Sequence, residues 1–155
     1  AFLDFALTFI GTTNQVDNSL YLMSDGLPNS TLGLFNVATG SVSNIGAGPL
    51  PATHGDMTSN GDGSLYFLMD QSTPTLFDLD PTNGAVKSSA NLATSGGGTQ
   101  ALAFWGGSFY AFENNVINRY DPKMATTTML GMAPLDVTGA GQSTCVPKVP
   151  PPPPH

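Results

Sequence analysis

Charge is what this sequence has least of. Only 10% of its 155 residues are Asp, Glu, Lys or Arg, against about 25% in an ordinary soluble domain. Lys and Arg number 4 against 11 Asp and Glu, for a net charge of -7. A surface so poor in cations cannot neutralise a phosphate backbone, which argues against nucleic acid and against anionic membrane surfaces as partners. Runs of the strong helix formers Glu, Lys and Arg are missing, while 18 Gly and 13 Pro punctuate the chain, so helix is not expected. No apolar run approaches the roughly 18 to 20 residues that span a bilayer as a helix. The opening AFLDFALTF carries no basic residue ahead of its apolar run, so it reads as a strand and not as a targeting segment. There is one cysteine, Cys145; in a secreted protein an odd cysteine points to a partner elsewhere.

Recognisable catalytic punctuation is also missing. The chain has no phosphate-binding P-loop, no dinucleotide fingerprint and no Cys/His cluster of zinc type. Ser143, Thr144 and Cys145 invite a nucleophile reading, but no GxSxG occurs and the only internal histidine is His54, which argues against a hydrolytic triad.

What is present is a repeat. NSLYLMSD (18–25), GSLYFLMD (63–70) and GSFYAFEN (107–114) place Ser19, Ser64 and Ser108 at spacings of 45 and 44 residues, a period in the range of four-stranded propeller blades. Each copy is preceded by a strand-like run (FALTFIG, GDMTSNGDG, QALAFWGG). A third run follows it (LGLFNVATG, TLFDLDPTNG, VINRYDPKMA), and then a fourth (SVSNIGAG, AVKSSANLA, TTTMLGMA). Consecutive large apolar residues in SLYLM and SLYFL fit strands covered on both faces, and ATG, PTNG and DG supply tight turns. Pro81 and Pro122 follow the third run, where a missing N–H does no harm. The fold class expected is all-β: a β-propeller with three four-stranded blades at about 4–48, 54–93 and 99–133 within residues 1–147. A sandwich of about 12 strands could use the same turns but has no reason to repeat at a constant period.

Propellers close with about four to eight blades, so three blades leave apolar faces that something must cover. A five- or six-bladed ring completed by another chain, by a second copy, or replaced by a capped arc would do so. DVTGAGQSTCVP (136–147) reads as one further inner strand, over about 136–146, of the kind that closes a ring by completing the first blade. Residues 148–155, KVPPPPPH, can form only an extended polyproline segment, best read as a linker, although proline-reading domains bind such segments.

The elements GDMTSNGDGSLYFL, LFDLDPTNGAV, ALAFWGGSFYAF, INRYDP and VTGAGQSTCVP, which span 55–147, together resemble a myxobacterial family of surface or lipoprotein-like β-propeller proteins, in its C-terminal part. Residues 4–48 resemble it more loosely. The resemblance implies export and an N-terminal portion holding further blades, with Cys145 disulfide-bonded to that portion. It implies no chemistry, because the family has none assigned.

Propellers bind at the channel mouth. Aligning the first strands places Asp4, His54 and Thr99 at equivalent positions and Asp56 one step inward, opposite Ala6 and Ala101. A His with two carboxylates could ligate a metal or act as acid and base; a polar channel wall holding water uses the same residues. Trp105 could stack on a sugar or pack between blades. Asp17 and Asp62 are candidate calcium ligands, since NGDGS (60–64) superficially resembles a calcium loop, but it lacks the alternating oxygen ligands and terminal Glu of an EF-hand. Aspartates in turns commonly bond their own backbone instead. The functional expectation is a non-enzymatic binding or scaffolding module, with no cofactor, on a bacterial surface or in the periplasm or medium. The alternatives are a calcium-dependent hydrolase or lactonase-like enzyme and a lectin-like carbohydrate binder. The expected partners are the remaining blades and a glycan or surface protein.

Overall fold

The computed structural model describes residues 5–11, 19–24, 29–51, 54–94, 98–143, 145 and 147–149. They form twelve strands and no helix: β1 (Phe5–Ile10), β2 (Ser19–Ser24), β3 (Asn29–Asn36), β4 (Ser41–Pro51), β5 (Gly55–Ser59), β6 (Leu65–Met69), β7 (Thr75–Leu79), β8 (Val86–Asn91), β9 (Thr99–Trp105), β10 (Ser108–Glu113), β11 (Val116–Asp121) and β12 (Thr126–Met132). The strands pair in sequence order into three four-stranded antiparallel sheets, β1 to β4, β5 to β8 and β9 to β12. The chain is all-β and its sheets are blade-like. The first strands β1, β5 and β9 lie side by side and form the inner edges of the three sheets.

The repeat has a physical meaning in this arrangement. Successive side chains on a strand point to opposite faces, so each sheet has a forward face toward the next sheet and a rear face toward the previous one. Ala6, Ile10, Met23 and Leu32, on the forward face of the first sheet, pack against Met57, Leu65, Phe67, Met69 and Leu79 on the rear face of the second. Leu68 and Leu76 on the forward face of the second sheet pack against Leu102, Phe104, Phe109, Ala111 and Tyr120 on the rear face of the third. The SLY motif follows this rule: Leu65 and Phe109 look backward, whereas Tyr66 looks forward. By register, Leu20 then belongs to a rear face and Tyr110 to a forward face that no sheet among the described residues covers. Leu7 and Phe9 on the uncovered rear face are 47% and 41% exposed, and Trp105 on the uncovered forward face is 47% exposed.

The turn between the third and fourth strands is built alike in every sheet. The side-chain oxygen of Asn36 accepts the N–H groups of Ala38 and Thr39 at 2.9 and 3.1 Å. Asp80 accepts the Thr82 N–H at 2.8 Å, and Asp121 accepts that of Lys123 at 2.9 Å. Each turn then closes through a left-handed residue: Gly40 (φ 69), Gly84 (φ 75) and Ala125 (φ 50). Alanine is disfavoured there by the contact of its Cβ with the backbone. Ala125→Gly, at an exposed position, is therefore expected to stabilise the chain by about 0.5–1 kcal/mol, net of glycine's extra chain entropy; thermal unfolding followed by circular dichroism checks it.

The first two sheets approach each other closely at Gly46 of β4. A Cβ on Gly46 would sit 2.1 Å from the carbonyl oxygen of Asn83 in the β7–β8 turn. Backbone cannot give way as a side-chain tip can, so Gly46→Ala is expected to cost about 1–3 kcal/mol through displacement of that turn, read as a lower urea midpoint.

The closing inner strand expected over 136–146 would pair with a first blade, and none of the three sheets of the described residues contains a strand from it. Residues 136–143 join no sheet. The segment instead follows the length of β9. The Val137 N–H donates to the Asn114 carbonyl at one end, and the Pro147 carbonyl accepts the Gly106 N–H at the other. Gly139 and Gly141 weaken strand propensity in between.

Candidate functional site

An inner edge strand exposes alternate N–H groups with no strand to receive them. On β9 those of Leu102 and Phe104 are met by side chains. Asp56, projecting forward from β5, accepts the Leu102 N–H at 2.7 Å through Oδ2 and the Met57 N–H at 2.8 Å through Oδ1. Gln142 accepts the Phe104 N–H at 2.6 Å through Oε1, while its Nε2 donates to the Ser59 carbonyl. Ser59 in turn donates through Oγ to the Phe9 carbonyl of β1 at 2.9 Å. These side chains link the three inner strands. Burial raises the Asp56 carboxyl to a pKa of about 6, against the opposing pull of its two backbone N–H donors.

The sequence-derived candidates distribute around this edge unevenly. Asp4 and Asp17 lie outside the described residues, as does the side chain of Thr99, whose backbone begins β9. His54 is exposed just before β5, and its carbonyl accepts the Asp70 N–H at 2.8 Å. Asp56 has both oxygens committed to backbone donors, so its role in this arrangement is to fasten β5 to β9. Asp62 accepts from the Ser64 hydroxyl at 2.9 Å and faces the Lys148 ammonium at 3.4 Å. Burial would raise its carboxyl, but the Ser64 hydrogen bonds and Lys148 outweigh it and hold the group below the usual carboxylate range. Cys145 is exposed. Among the described residues no three His, Cys, Asp or Glu side chains come together as a metal would need.

A second feature was not anticipated. Between the second and third sheets lies a cleft of about 460 Å³, within the range of small-molecule sites. Its apolar walls include Tyr66, Leu76, Phe109 and Tyr120, and its rim includes Asn60, Asp78, Ser88, Ser89, Lys123 and Lys148. Phe109 holds the aromatic wall together, edge-on to Tyr66 at 4.7 Å and to Phe104 at 5.0 Å. The Tyr66 hydroxyl accepts from the Asn60 amide at 3.4 Å, and burial, with Asp78 and Asp62 nearby, raises its pKa.

The repeat explains why the cleft sits here and not one interface earlier. Register places Ala90 opposite Leu76 in the second sheet where Gly46 stands opposite Leu32 in the first. At Gly46 the following sheet's turn closes onto the strand. Ala90 carries a Cβ at that point, and Pro122 and Lys123 of the following turn line the cleft mouth. The only sequence signal for this site was the placement of Lys87, Lys123 and Lys148 in a chain with 4 basic residues.

No protein-family model matches the chain, and no curated protein sequence matches it.

Proposed function

We propose that this chain is part of an extracellular β-propeller that acts as a binding or scaffolding module of a bacterial surface or secreted protein, its ring completed to five or six blades by another chain or a second copy. The observation that carries this reading is the pair of uncovered faces. Leu7, Phe9 and Leu20 at one end, and Trp105, Tyr110 and Phe112 at the other, are a rear face and a forward face by register. These are the two kinds of face that pack together at both internal junctions. Apolar faces of this sort left in water mark interaction sites.

The rigid strand framework, low charge and the commitment of Asp56 to structural hydrogen bonds support binding over catalysis. The Thr, Ser and Asn richness supports export, and the resemblance to myxobacterial surface or lipoprotein-like propellers supports a partner segment bearing further blades, to which Cys145 would be linked. Native mass spectrometry of the purified chain, of 16.0 kDa, tests the reading. A self-associated species, or a complex with a blade-bearing polypeptide, is the expected result; a stable lone monomer contradicts the ring.

A further inference from the structure

We propose that the cleft between the second and third sheets binds an acidic saccharide, one uronate-type ring with its carboxylate toward Lys123. The inference deepens the binding-module reading by naming a ligand class for one site, and it rests on that reading.

Charge sets this cleft apart from the rest of the molecule. The chain has a net charge of -7 and 4 basic side chains, yet three of the four gather at this cleft. Lys123 and Lys148 line it, and Lys87 reaches its rim through a 2.9 Å ion pair with Asp78. A cation-poor chain that concentrates its ammonium groups in one concave place has a local field opposite to that of the whole molecule. Two of the three are already matched, Lys87 by Asp78 and Lys148 by Asp62. Lys123 forms no ion pair among the described residues. The cleft is therefore balanced except for one ammonium, which suits one carboxylate better than the two or more charges of a nucleotide.

The uncharged part of the wall selects for a sugar. Tyr66, half-buried and edge-on to Phe109, supplies aromatic carbon that can cover the C–H groups of a sugar ring. The Asn60 amide, the Ser88 hydroxyl and the tyrosine hydroxyls bring groups that both donate and accept, as ligand hydroxyls require. Phe109 is 2% exposed and meets its neighbours edge-on, so it leaves no open pair of ring faces to sandwich a base. A volume of about 460 Å³ holds one such ring with bridging water.

The experiment is a titration of the intact chain, by calorimetry at low salt, with trigalacturonate, neutral galactotriose and ATP. Trigalacturonate is expected to bind saturably, and more weakly as salt rises. Galactotriose is expected to bind at least about fivefold more weakly, the loss of one charge-assisted contact. Lys123→Ala should weaken trigalacturonate binding by a similar factor. Ala90→Leu should abolish it by filling the cleft, with a circular dichroism spectrum matching the parent as the check on folding; if that variant misfolds, Ser88→Leu at the rim takes its place. Absence of trigalacturonate binding at millimolar concentration overturns the proposal. So does equal binding of the neutral sugar, preference for ATP, or binding indifferent to both the Lys123 and the cleft-filling variants. Failure here leaves the ring, tested by native mass, standing; a monomeric mass leaves this titration informative.

Discussion

Replacing Phe67 with alanine is expected to lower the unfolding free energy by about 3–5 kcal/mol, the largest effect of any single change considered. Phe67 lies on β6, is 2% exposed, and sits in the core shared by the first and second sheets with Ala6, Met23, Leu32, Met57 and Leu65. Its ring also lies over the glycine of the neighbouring inner strand, since a Cβ on Gly55 would be 2.7 Å from Phe67 Cζ and 2.2 Å from the Leu68 carbonyl oxygen. Gly55 carries no side chain that could fill the space left by the ring, so the substitution leaves a cavity. Domains of this kind are stable by only about 5–15 kcal/mol. Urea denaturation followed by circular dichroism should show a much lower midpoint with a similar slope. A loss below about 1 kcal/mol would mean that the first two sheets do not share a core.

The second large effect is a pH dependence. The Asp56 carboxyl is raised from an ordinary 3.8 to about 6 by burial. A carboxyl raised in the folded state binds its proton more tightly there than in the unfolded chain. Its contribution favours the fold below the unfolded value near 4, and that contribution is lost as the pH rises through about 6. The span of the shift corresponds to a contribution on the order of 3 kcal/mol. Asp62 and Asp80 oppose it, both being held below the ordinary carboxylate value; for Asp80 the Thr82 hydrogen bonds are the main cause. Their contributions are present above the unfolded carboxylate value and lost as pH falls through their lower folded values, so they act below the Asp56 window. Asp56→Asn removes the titration and keeps one acceptor oxygen. Between pH 4 and pH 6.5 the parent is expected to lose stability relative to this variant. Parallel curves for the two proteins, measured by urea denaturation across that range, would show that Asp56 titrates normally.

The architecture was legible in the sequence because it is written three times. SLYLM, SLYFL and SFYAF mark the second strand of each sheet, and the Asn36, Asp80 and Asp121 turns carry their left-handed residue at the same offset. Local chemistry of this kind, period and turn residues, survives without tertiary information. DVTGAGQST looks like the opening run of a fourth repeat, yet residues 136–143 join no sheet among the described residues, and the contact of Gln142 with the Phe104 N–H joins parts of the chain 38 residues apart. Of the channel candidates, Asp4 and the side chain of Thr99 lie outside the described residues, and Asp56 has its two acceptor oxygens taken by backbone donors, one of which, Leu102, is 46 residues away. The cleft was invisible because it follows from a single difference, Ala90 in place of Gly46, that has meaning only once β4 and β8 are superimposed.

The central claim is that every sheet has a forward and a rear face of complementary kind, and that the two uncovered faces of the chain are such a pair. Two single-cysteine chains on a Cys145→Ser background test it most directly, one carrying Leu7→Cys on the uncovered rear face and the other Ala103→Cys on the uncovered forward face. Mixed and treated with a short bis-maleimide, they are predicted to yield mainly the mixed cross-linked dimer. A product mixture no richer in the mixed species than random collision gives, or dominated by either chain linked to itself, would contradict the account.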